Sequence, residues 1–184
     1  MHQDGVANAG ADERDADLFL ARAGVHDGQL VVEEPEDPDR YRGVSPALQA
    51  RYLAEAARRV YQAPRVDLLI NFLIRDEPVV GRWASGFFTA RDVVKPSFFS
   101  FMLPLAELDR RGGRATLWGQ VRPRSGPQPY LLQRWGGGSW LGVGPVSVSG
   151  NQGFFTRQVS AGRGSRFRVW SLLDDTFSPA LVVR

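Results

Sequence analysis

The sequence predicts an α+β chain: the incomplete end of a (β/α)8 barrel, present as its last helix-strand-helix units, followed by a small immunoglobulin-like β-sandwich. Three observations carry this. Ser45–Pro78 reads as one amphipathic helix feeding an apolar segment that ends in charge. Lys95–Leu105 holds the phrase KPSFFSF, suited to a last covering helix. From Arg114 onward the apolar period falls from about 3.6 to about 2 residues, the repeat of half-buried strands.

Residues 1–27 are rich in Gly, Ala and Asp, with Leu18, Phe19 and Leu20 as their one apolar patch, and are expected to be a low-order acidic segment. Gln29–Val32 suits a short strand before the acidic, proline-broken loop 33–43. Ser45 then fits an N-cap, and Pro46 the first helical position, where the fixed φ helps and no N–H is needed. Leu48, Tyr52, Ala56 and Val60 recur four apart, with Leu53 and Ala57 beside them, opposite a polar side of Gln49, Arg51, Glu55, Arg58 and Arg59. Pro64 stops the helix. Val66–Ile74 follows, apolar almost without alternation, as in a parallel strand covered on both faces. Residues 28–105 therefore form the expected barrel end, 106–113 a linker, and 114–184 a sandwich of about six or seven strands divided by glycine and proline turns.

Composition excludes several functions. Without cysteine there is no disulfide framework and no thiolate metal site. His2 and His26 lack a ligand set, so no metal is expected, and no motif implies a cofactor. The 23 basic and 20 acidic residues give a net charge of +3, with the acids early and the arginines late. Lys95 is the only lysine, whereas nucleic-acid binders cluster Lys and Arg on one face, so no nucleic-acid partner is expected. No apolar run reaches the length of a membrane span, and the acidic start is unlike a signal peptide. Neither a G-x-S-x-G elbow nor a phosphate-binding glycine pattern is present.

The phrases GVSPALQARYLAEAARRVY, VDLLINFLIRDEP and WASGFFTARDVVKPSFFSFMLPL, spanning Gly43–Leu105, resemble the last strand and helix of actinobacterial glycoside hydrolases of the retaining (β/α)8 clan. An immunoglobulin-like module is often appended in that family. The resemblance implies a parent enzyme that cleaves glycosidic bonds outside the cell. Retaining hydrolysis needs two carboxyl groups about 5 Å apart. The family's acid/base phrase and its Thr-Glu-Tyr-Gly or Thr-Glu-Phe-Gly nucleophile phrase are both missing here, and fewer than fifty residues precede the helix, where a whole barrel takes about 250. A truncated or frame-shifted start would explain this, and the chain alone is expected to be inactive.

Glu33 and Glu34 are the only carboxylates placed where a seventh strand would end, but the run EEPEDPD also reads as a solvated acidic loop. Asp76 and Glu77, just past the apolar segment, either hold a sugar hydroxyl or pair with Arg75 or Arg82. Trp83 is either a floor for a sugar ring or a plain cover for the barrel end. Trp135 and Trp140, flanking a glycine hairpin, are an aromatic platform for polysaccharide or ordinary packing; Trp118 and Trp170 are expected in the core. Arg157, Arg166 and Arg168 read as the wet face of a sheet. Two other functions fit the same residues: a non-catalytic carbohydrate-binding or cell-surface adhesion module, and a purely structural accessory domain. Sugar, linkage and oligomeric state are left open. The apolar faces of the helix and of Val66–Ile74 lack barrel partners, so the helical half is expected either to be poorly soluble or to dock on the sandwich, and a chain starting at Pro104 to fold better than the whole.

Overall fold

The computed structural model describes residues 23–26, 29–32, 43–78 and 83–184. Residues 1–44 and 45–184 are separate compact units. In the first, β1 (Ala23–His26) pairs antiparallel with β2 (Gln29–Val32). The expected strand at 29–32 is present, and residues 23–26, assigned from sequence to a low-order segment, are its partner.

The second unit opens with α1 (Pro46–Gln62), where the Ser45 side chain accepts a hydrogen bond from the Leu48 backbone N–H at 3.2 Å. Its buried face is a line of small residues, Ala50, Ala54 and Ala57, while Leu48, Tyr52, Leu53 and Val60 are half-buried. The apolar stripe read from sequence thus lies beside the contact face, because alanines let another backbone approach closely. The short helix α2 (Pro96–Met102) makes that approach: its Ser100 hydroxyl donates to the Ala50 carbonyl at 2.5 Å.

Val66–Ile74 is extended but forms no ladder with any described strand. This corrects the expected parallel strand. Such a strand needs neighbours on both edges to bond its amides. Leu73 also holds a positive φ of 74°, a conformation that interrupts regular strand geometry in a bulky residue. Leu69 packs inward near Ala57, Ala106 and Trp118. Leu68, Ile70, Phe72 and Ile74, alternating with it, are 59% to 71% exposed.

Nine short strands follow. β3 (Leu105–Arg111), β4 (Arg114–Gln120) and β8 (Phe154–Ser160) form a sheet in the order β3-β4-β8. A six-stranded sheet runs β10-β9-β5-β6, with β5 Pro129–Gly136, β6 Ser139–Gly142, β9 Arg166–Ser171 and β10 Thr176–Phe177. In the same sheet, β7 (Ser147–Val148) pairs with β5 and β11 (Leu181–Val182) with β9. All these pairs are antiparallel. Leu105, Ala115, Leu117, Phe155 and Val159 of the first sheet meet Tyr130, Leu132, Phe167 and Val169 of the second in one core. Residues 106–111, expected to be linker, belong to β3, and no spacer separates helices from sheets. The strand's charged end, Asp109–Arg111, is exposed, which is why it read as a linker.

The helical half sits on the outer face of the three-stranded sheet. Alternation turns Leu117 into the sandwich and Trp118 away from it, where Trp118 is 1% exposed against Ala57 and Ala106. Tyr61 of α1 covers the indole at 5.4 Å between ring centres, and Phe154 flanks both rings. Trp118 is therefore core as expected, but core between helix and sheet. A second tie comes from Arg122, whose guanidinium donates to the Phe101 carbonyl at 3.0 Å and stacks over the Phe101 ring; burial lowers its pKa from the ordinary value.

Of the two fates expected for the helical half, the structure has the docked one. A chain starting at Pro104 would bare Trp118 and Phe154, which argues against its folding better than the whole. Trp118→Ala should cost about 3–5 kcal/mol, the range for truncating a buried aromatic ring. In urea denaturation, the helical and sheet signals should move together to a lower midpoint.

Candidate functional site

The charged end of the extended segment is held by one ion pair. Lys95 Nζ donates to both carboxylate oxygens of Asp76 at 3.0 Å and to the Ala84 carbonyl at 2.8 Å. Both side chains are largely buried, at 7% and 14% exposure. Asp76 Oδ1 also accepts the Gly86 N–H at 2.9 Å. Asp76 is thus the partner of Lys95 and not of Arg75, which pairs with Asp92. Gly86 is required by proximity: a Cβ there would lie 2.7 Å from the Arg75 carbonyl carbon and the Asp76 nitrogen. Gln49 of α1 and Ser97 of α2 both donate to the Gly86 carbonyl, which fixes this loop to the two helices.

That lock positions Trp83. The Glu77 N–H donates to the Trp83 carbonyl at 3.0 Å, and the Trp83 ring meets Phe72 edge-on at 5.4 Å. With Trp83 41% exposed and Phe72 59% exposed, the two rings form an open aromatic ledge continuous with Ile70 and Ile74. Phe72 was not singled out from sequence; the alternation of a strand would have placed it on the open side. Asn71, between these side chains, donates to the Leu73 carbonyl at 2.9 Å and reaches the Ser85 carbonyl at 3.4 Å.

Glu33, Glu34 and Arg82 lie outside the described residues. Among the described residues no group of three or more His, Cys, Asp or Glu side chains could hold a metal ion, and no helix is long and apolar enough to cross a membrane.

The other tryptophans define a second aromatic surface. Trp135 and Trp140 are paired across β5 and β6, with rings edge-to-face at 5.3 Å. Trp170, expected in the core, is half-buried on the outer face of β9, stacked on Phe177 and donating its indole N–H to Asp175 at 3.0 Å. The error is one of parity: Phe167 and Val169 take the inward positions, which turns Trp170 out. Arg168 lies among these rings, where burial lowers its pKa from the ordinary value, whereas Arg166 is exposed. Arg157 donates to the Ser147 hydroxyl at 2.5 Å.

No protein-family model matches the chain, and no curated protein does. Among solved structures, a crystal structure of an FMN-binding beta-glucuronidase from Facaelibacterium prausnitzii L2-6 is similar over 75% of this chain and 22% of its own length, at 14% identity and a TM-score of 0.30. That score falls below a shared fold, and no chemistry carries across from it.

The Asp76–Lys95 pair yields a prediction with an internal control. Asp76→Asn leaves a buried ammonium without its counter-charge and should cost about 3–5 kcal/mol in denaturant unfolding. The double change Asp76→Leu with Lys95→Met should recover most of that loss, because it removes both desolvated charges.

Proposed function

We propose that this chain is the non-catalytic carboxyl-terminal part of a glycoside hydrolase, closing a (β/α)8 barrel with Val66–Ile74 and backing it with an immunoglobulin-like sandwich. One observation supports the reading above others. An extended apolar segment is held on one side by a helix and a sheet, and on the other presents Leu68, Ile70, Phe72 and Ile74 to solvent. Burying such a row gains roughly 1.5–3 kcal/mol per side chain, and exposed contiguous apolar surface marks a face meant for cover. Neighbouring staves of a barrel would cover these residues and bond the segment's amides.

In that setting, Trp83 lies past the carboxyl end of a stave, where barrel ligands bind, and with Phe72 near the end of that stave forms an apolar floor for a sugar ring. Asp76 and Lys95 hold the floor in place and take no part in bond cleavage. The chemistry itself requires two opposed carboxyl groups, which in this reading stand on other strands of the barrel. The parent enzyme would act outside the cell, on a sugar these residues do not specify.

The DNA upstream of the Met1 codon, read in all frames, tests the proposal. Six strand-helix units with a glutamate after the fourth strand are expected; coding sequence without such units would contradict it. The purified chain should not turn over aryl glycosides. Robust turnover that disappears in Glu33→Gln or Glu34→Gln would overturn the non-catalytic assignment.

A further inference from the structure

The outer face of the six-stranded sheet carries a ladder of rings and guanidinium that serves neither the core nor the barrel end. Three cross-strand pairs build it: Phe177 opposite Trp170, Gln133 opposite Arg168, and Trp135 opposite Trp140. Arg168 lies over two rings, with its guanidinium carbon 4.0 Å from the Phe177 ring centre and 4.5 Å from that of Trp140. Its Nε donates to Gln133 Oε1 at 2.7 Å, which leaves its two terminal nitrogens without a hydrogen-bond partner among the described residues. Trp135, 39% exposed, ends the ladder. Behind its ring an open groove of about 400 Å³ runs between the sheets, lined by Arg134, Leu141, Ser160 and Phe167.

We infer that this face binds an acidic polysaccharide, stacking a sugar ring on Trp135 and engaging its carboxylates with Arg168 and Arg166. The inference is independent of the barrel-end proposal. It rests first on charge: Arg166 is exposed, and neither arginine has an ion-pair partner among the described residues. The neighbouring carboxylate of Asp175 accepts from Trp170 instead. A planar guanidinium presents parallel N–H groups that match a carboxylate's two oxygens. The second argument is shape. The aliphatic faces of sugar rings pack on indoles, and Trp135 presents one at the exposed end of the ladder.

A nucleic acid fits less well. Binders of that class neutralise about 6–10 phosphates, and two arginines fall short. Trp135 and Trp140 also meet edge-to-face, so they do not form two successive platforms for bases.

Affinity electrophoresis of the intact chain tests this, using gels containing polygalacturonate, hydroxyethylcellulose or polythymidylate. The expected result is retardation by polygalacturonate alone, weakening as salt rises. Trp135→Ala and Arg166→Gln should each weaken retention roughly two- to tenfold, on the scale of a lost aromatic contact. Both residues are exposed, so unfolding midpoints should not move. No retardation in polygalacturonate would overturn the inference, as would equal retention of both variants, or preference for the neutral polymer or for polythymidylate.

Discussion

Trp118 is the joint on which the rest of the structure depends. Strand parity turns its indole out of the sandwich, and a ring that size on a sheet surface must be covered or left in water. Tyr61 and Ala57 of α1 cover it. The cover is imperfect in one respect: the indole N–H is buried without a hydrogen-bond partner among the described residues. Burying an unmatched donor costs on the order of 1–3 kcal/mol, so the packing of the rings must exceed that cost for the contact to persist. The contact then determines what else is possible. It anchors α1, α1 carries α2 through the alanine face, and both helices fix the loop that presents Trp83.

Because α1 is held from the sandwich side, Val66–Ile74 stays extended without a sheet of its own. One side of it shares the apolar contact around Trp118; the other remains open. A closed core and an open surface are divided between the two halves of this unit. The sandwich supplies a closed core, and the helical half supplies an edge and an aromatic ledge that have no role in holding the fold together. The same division appears on the far side of the sandwich, where the Arg168 ladder lies outside the core it shares strands with.

Much of this was legible in the sequence, and the failures have physical causes. Ser45, Pro46 and Pro64 marked α1 because caps and prolines act locally. Period two after Arg114 marked the sheets for the same reason. Val66–Ile74 was misread as a paired strand because an apolar run reports what a segment needs around it, and says nothing about whether neighbours are there. The linker reading failed because Asp109–Arg111 is the wet end of an edge strand, and a short charged stretch looks alike in both settings. At the site, the pairing of Asp76 with Lys95 joins residues from two loops and carries no local pattern. The ladder around Arg168 was hidden further, since it draws on four strands whose registers only the folded sheet fixes. Trp170 shows how a single parity error moves a side chain from core to surface.

Amide hydrogen exchange across Asp67–Leu73 and Arg114–Gln120 tests most directly the claim that the helical half is held by the Trp118 contact and not by sheet pairing. In the intact chain, amides of the first segment should exchange at nearly unprotected rates, while those of the second approach the protection set by global unfolding. Equal, strong protection of the two segments would mean that the extended segment has ladder partners, and would contradict the account.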